Sequence, residues 1–157
     1  LELYIPEVYG LESEKMSTTK NVGVQGAWPD KESLSLKFRS EFGTNEYANF
    51  EKLAKFVENN GGWIKYGRGN RTASINCVFK KVKKLENSSL FSLFSNGKLT
   101  INFNWTKQEL RNPIANRLEA ELGIEITELQ RNDNMSLSRA EWSDNTDKII
   151  KVIKEFL

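Results

Sequence analysis

The sequence predicts an α+β fold in which an antiparallel sheet of four or five strands is packed on one side by two to four helices. Three observations carry that expectation. Asn96-Gly97 separates two runs of alternating apolar residues, the strongest short-range hairpin signal in a sequence. Gly67-Arg68-Gly69-Asn70 separates a second pair of such runs. Elsewhere apolar residues recur at three- and four-residue spacing, the mark of helices that bury one face.

Taken in order, Leu1, Leu3 and Ile5 alternate with Glu2 and Tyr4, which suits a short edge strand ended by Pro6. Residues 7–27 are rich in Gly, Ser, Thr, Lys and Glu without periodicity and read as a loop or linker. Asp30 is placed to cap a helix in which Leu34, Phe38 and Phe42 recur every four residues, closed by Gly43, while the alternation Leu34, Leu36, Phe38 also fits a strand. Asn45 is placed to cap a helix carrying Tyr47, Phe50, Leu53, Ala54 and Val57, with Asn59-Asn60-Gly61-Gly62 as its stop.

Residues 63–66 then read as a strand and 72–82 as its partner, with Ala73, Ile75, Cys77 and Phe79 on one face. Residues 89–95 and 98–105 form the Asn96-Gly97 hairpin, with Leu99, Ile101, Phe103 and Trp105 facing one way and Thr100, Asn102 and Asn104 the other. Thr106 with Glu109 makes a capping box, and Pro113 suits the first turn of a fresh helix whose ridge is Ile114, Leu118 and Leu122 and whose end is Gly123. Residues 135–139 look like a last short strand. Asp144 is placed to cap a final helix that turns Ile149, Ile150, Ile153 and Leu157 inward. The domain division expected is an N-terminal strand, linker and short helix over 1–44, then a single α+β domain over 45–157.

At 157 residues, one domain buries roughly two thirds of the surface its unfolded chain exposes and needs no staples. The lone cysteine, Cys77, excludes an internal disulfide and reads as a small buried thiol. With no histidine, Ser-His-Asp triads, histidine zinc sites and histidine-based nucleases are excluded. No apolar run reaches the ~18 residues of a membrane span, and the opening residues do not form a signal peptide, so a cytoplasmic protein without a membrane partner is expected. The chain opens without methionine, which a piece of a longer protein and a processed chain would share.

Charge is the informative feature. Between Asn59 and Leu85 there is no acidic residue, yet the segment holds Lys65, Arg68, Arg71, Lys80, Lys81, Lys83 and Lys84 on a chain with a formal net charge of +2. Such a local field attracts phosphate backbones, and its pull weakens with salt. Arg68 and Arg71 sit at a glycine turn, where free N–H groups can also meet an oxyanion, and Trp63 and Tyr66 offer stacking faces. The bland alternative is that lysines at a strand end keep an edge soluble.

Catalytic motifs fail inspection. Gly67-Arg68-Gly69 lacks the third glycine of a dinucleotide site, and Gly97-Lys98-Leu99-Thr100 lacks the upstream glycine and the adjacent hydroxyl of a Walker loop. No acidic residue is followed two positions later by lysine, as a metal-dependent restriction-type nuclease requires; Glu109 with Arg111 comes nearest. Glu119, Glu121, Glu125 and Glu128 are the one acidic cluster that could attract a divalent ion, and they read better as a solvated face.

The order of a helix, then Gly61-Gly62-Trp63-Ile64-Lys65-Tyr66-Gly67-Arg68-Gly69, an apolar strand, and Ser92-Leu93-Phe94-Ser95-Asn96-Gly97-Lys98-Leu99 leading to a strand and helix resembles an uncharacterised α+β domain of bacterial and archaeal proteins. That domain often accompanies nuclease-like modules in defence or DNA-processing settings. The resemblance covers about residues 45–157. It implies an accessory role near nucleic acid, beside a nuclease-like neighbour, and supplies no catalytic residues.

The expectation is therefore a non-catalytic nucleic-acid-binding domain, for DNA rather than RNA, without cofactor or metal. Lys65, Arg68, Arg71, Lys80, Lys81, Lys83 and Lys84 would meet phosphate, and Trp63 or Tyr66 would stack. The rival is a protein-interaction or homodimerisation module that uses an edge strand or an apolar face at Leu90, Phe91 and Phe94. An enzyme would need a pocket of perturbed carboxylates at the acidic cluster.

Overall fold

A computed structural model describes residues 31–67, 74–82, 84–94 and 96–157. Two helices come first, α1 at Lys31–Phe42 and α2 at Thr44–Asn59. Four strands follow: β1 Trp63–Gly67, β2 Ser74–Val78, β3 Phe91–Phe94 and β4 Leu99–Ile101. A 3-10 turn at Phe103–Trp105 leads into α3 Gln108–Leu122, α4 Glu128–Asn132, β5 Met135–Leu137, α5 Arg139–Ser143 and α6 Thr146–Lys154. The five strands form one antiparallel sheet in the order β1-β2-β3-β4-β5, so the predicted α+β class and antiparallel sheet are present. The strand expected at Leu1, Leu3 and Ile5 and the loop expected over 7–27 lie outside the described residues.

Period-2 alternation divides the sheet into two faces. Ile64 and Tyr66, Ile75 and Cys77, Phe91 and Leu93, Leu99 and Ile101, and Met135 and Leu137 meet in register and join the apolar core. The helices close that core with Phe38, Phe50, Leu53 and Val57 from α1 and α2, Ile114 and Leu118 from α3, and Ile149, Val152 and Ile153 from α6. Full burial of each such side chain contributes about 1.5–3 kcal/mol, which is why the helices stack on this face. Phe38 stacks on Phe50 with ring centroids 5.7 Å apart and lies 6.5 Å from Trp142, so the core takes in residues on both sides of the 44/45 boundary.

One open alternative is decided, and several local expectations are corrected. Helix wins over strand at α1, where Leu36 is exposed and Phe38 is buried; a strand would have put both on one side. Gly43, not Asn45, caps α2, and Asn45 lies inside the helix. Strand β2 stops at Val78 and does not run on to 82, because the chain turns there and Val82 N–H bonds back to Phe79 O at 3.0 Å. The fourth strand ends at Ile101, and the 3-10 turn rotates Trp105 away from the core that Phe103 enters, leaving it 57% exposed.

Thr106 does not cap α3. It is buried, accepts a hydrogen bond from Asn87 Nδ2 at 2.6 Å, and leaves Lys107 to begin the helix without a side-chain cap. Pro113 sits inside α3 and does not start a new helix. Both Pro113 and Glu109 are exposed, so water can meet the Glu109 carbonyl that the missing N–H leaves free. Asp144 ends α5, and Asn145 precedes α6 with its amide donating to Glu141 O at 2.8 Å. The capping boxes belong instead to Thr127 with Gln130 and to Ser138 with Glu141.

Candidate functional site

The second sheet face turns its residues away from the core. Its centre is a row running across all five strands, since Lys65 pairs with Asn76, Asn76 with Ser92, Ser92 with Thr100 and Thr100 with Ser136. Every member is polar. One register step away, Trp63 faces Val78, and neither packs into the core cluster. Small hydroxyl and amide side chains suit this face because they bond to one another: Thr100 and Ser136 hydroxyls lie 3.0 Å apart, and Ser92 Oγ donates to Asn76 Oδ1 at 2.7 Å.

Toward the Trp63–Val78 end the row borders a cavity of about 330 Å³ lined by Lys65, Asn76, Ser89, Ser92, Asn102 and Trp105. Asn102 donates from Nδ2 to Ser89 O at 2.6 Å and to Ser92 Oγ at 2.8 Å. Ser89 Oγ donates to Asn76 Oδ1 at 3.0 Å. Beneath them Asn87, fully buried, accepts from Ser89 N–H at 2.5 Å and spans to Thr106 Oγ1. Glu86, directly before it, has φ of 37°, the one left-handed non-glycine residue among the described residues. That conformation is unfavourable for a side chain and is held here by Glu86 N–H bonding to Val82 O at 2.7 Å and Phe79 N–H to Asn87 O at 2.8 Å.

The segment so anchored carries Lys80, Lys81 and Lys84, all exposed, and runs on into Ser88 and Ser89 of the cavity wall. Lys65 is exposed on the outward face of β1, as is Trp63. None of these four lysines has an acidic partner among the described residues, whereas Lys107 close by is paired to Glu86 at 2.9 Å. Tyr66 is separated from them: it lies on the helix side of β1, beside Tyr47, Phe50 and Ile64, because adjacent strand residues point to opposite faces. It cannot share a surface with Trp63. Arg68, Arg71 and Lys83 lie outside the described residues.

Leu90 and Phe91 do not form an exposed apolar face; both are fully buried, and only Phe94 of that trio is partly open. Strand pairing explains this, since Phe91 is opposite Cys77 and Ile101 in the middle of the sheet. Nor does the acidic cluster converge. Glu119 bonds to Ile126 N–H at 2.7 Å and to Arg131 at 2.7 Å, while Glu121 pairs with Lys151 at 2.9 Å. Among the described residues no three His, Cys, Asp or Glu side chains come together. Burial pushes the Cys77 thiol up to about 12, with the Glu58 charge adding to it, and so denies it nucleophilic character at neutral pH.

Of the row and its cavity, the sequence points only to Lys65 as a cation and to Thr100 and Asn102 as residues that face away from the core. Ser or Asn at outward positions of three neighbouring strands is a visible pattern only once the register is known. Compared with family models, curated proteins and solved structures, the chain matches none. No helix among the described residues is long and apolar enough to cross a membrane.

Proposed function

We propose that this chain is a non-catalytic nucleic-acid-binding domain, for DNA rather than RNA, that uses the outward sheet face and the lysine turn beside it as an accessory surface to a nuclease-like neighbour. The observation that carries the reading is the placement of Lys65 and Trp63 side by side on the outward face of β1, at the end of the sheet where the turn with Lys80, Lys81 and Lys84 begins. Unpaired cations attract phosphate, and an exposed indole supplies a stacking surface that tolerates any base. Arg68 and Arg71 add to the same charge on sequence grounds.

The test is a salt titration of oligonucleotide binding. Lys65→Ala, the triple change Lys80→Ala, Lys81→Ala, Lys84→Ala, and the double change Arg68→Ala, Arg71→Ala should each weaken binding equally across sequences. For every phosphate that a variant no longer neutralises, the slope of log K against log salt should fall by about 1. Affinity unchanged in all three variants overturns the reading.

A further inference from the structure

We propose that the cavity between Lys65 and Trp105 seats one unpaired base, and hence that the ligand of this face is single-stranded. This rests on the nucleic-acid reading and narrows it. The argument starts from hydrogen-bond direction. The Ser89 carbonyl can only accept, so Asn102 must turn its Nδ2 toward it; the second Nδ2 proton goes to Ser92 Oγ. Ser92 then has its own proton for Asn76 Oδ1, which also receives Ser89 Oγ.

With those directions set, two groups remain without a partner among the described residues: Asn102 Oδ1, an acceptor, and Asn76 Nδ2, a pair of donors. Asn102 is only 8% exposed, and leaving its oxygen unbonded is unfavourable. Both residues line the same cavity, together with the exposed Trp105 and Lys65. A planar ligand edge that both donates and accepts, carried on a flat ring and tied to an anion, matches this set. An unpaired nucleobase has those features.

A duplex does not present them, because its Watson–Crick edges are bonded to each other and its ring faces are stacked. The volume, about 330 Å³, lies at the small end of the roughly 300–1,000 Å³ range for ligand cavities, suited to one ring system. The uncompensated lysines favour a nucleotide over a neutral sugar, which would also stack on an indole.

The experiment compares three labelled probes on the full chain: oligothymidylate, a duplex of equal length, and an abasic strand with the same number of phosphates. Oligothymidylate should bind roughly tenfold more tightly than either. Trp105→Ala should bring its affinity down to the abasic value without changing the salt slope, and Trp105→Phe should restore part of it. Trp105 is exposed, so these changes spare the fold. Equal affinity for all three probes, with Trp105→Ala neutral, removes the base seat and leaves the backbone reading standing. No binding of any probe removes both. A tryptophan response to a neutral oligosaccharide, with none to oligothymidylate, assigns the cavity to sugars and overturns the proposal.

Discussion

Trp142 of α5 donates its indole N–H to the backbone carbonyl of Gly97, 2.9 Å away, in the turn between β3 and β4. Both residues are buried, so this bond ties the last part of the chain to the hairpin at the sheet's far end. Trp142→Phe keeps most of the apolar packing against Phe38 but strands the carbonyl. It should lower stability by about 1–3 kcal/mol in urea unfolding, and Trp142→Ala by about 3–5 kcal/mol because a cavity is added. A Trp142→Phe variant as stable as the parent would show that the hydrogen bond contributes nothing.

Gly62 and Gly123 should respond differently to alanine. A Cβ on Gly62 would lie 2.6 Å from Val57 Cγ1 and 2.6 Å from the Val78 carbonyl, where α2 presses against the sheet. The backbone cannot yield there cheaply, so Gly62→Ala should destabilise by more than about 3 kcal/mol. Gly123, at φ 68°, has open space around it, and Gly123→Ala meets only the left-handed strain of about 1 kcal/mol. Thermal unfolding of the two variants checks the order.

Stability should fall at both ends of the pH scale for different reasons. The Cys77 thiol is raised from 9.0 to about 12, chiefly by burial, so it stays protonated in the fold while the unfolded chain ionises. Below pH 9 it therefore has no effect, and between 9 and 12 it should remove up to about 1.4 kcal/mol per pH unit. Cys77→Ala should flatten that limb, and the native thiol should resist disulfide reagents until the protein unfolds.

On the acid side, Glu119 is held below 4.5 by the Ile126 N–H and then Arg131, Glu121 by Lys151, Glu155 by Arg117 and Glu141 by Ser138. Their contribution is present above 4.5 and lost as pH falls through the lowered folded values. Glu119→Gln should reduce the acid sensitivity measured by denaturant unfolding. An unchanged acid limb would count against this origin.

Pro113 interrupts the hydrogen-bond ladder of α3 at an exposed position. Pro113→Ala supplies the missing N–H to the Glu109 carbonyl and should raise stability by about 1 kcal/mol or more, read as a higher denaturation midpoint. A loss would mean that the ring's restriction of the unfolded chain outweighs the helix term.

Much of the architecture was legible because local rules and packing agreed. Asn96-Gly97 announced the β3–β4 hairpin, the apolar spacing of Tyr47, Phe50, Leu53 and Val57 announced α2, and Gly123 announced the end of α3. Misreadings fall where one residue's local preference competed with a distant partner. Thr106 offered a cap and was taken by Asn87, nineteen residues away in sequence. Trp105 continued a period-2 pattern, but the strand ended at Ile101 and a 3-10 turn reversed its direction.

The candidate site shows the same division. Charge density after Asn59 is a property of the chain, and Lys65, Lys80, Lys81 and Lys84 carry it on exposed positions. Which of those charges share a surface with an aromatic ring is a property of the sheet, and it separated Trp63 from Tyr66.

By itself the sequence determined the α+β class, the antiparallel hairpins, the apolar faces of the helices and the absence of histidine chemistry, because each depends on residue type and short-range spacing. Only the tertiary structure decided that Lys65, Asn76, Ser92, Thr100 and Ser136 form one polar row and that Trp105 turns toward it. The physical reason is strand register: pairing brings residues dozens of positions apart within a side chain's length, and nothing in their local sequence encodes that distance.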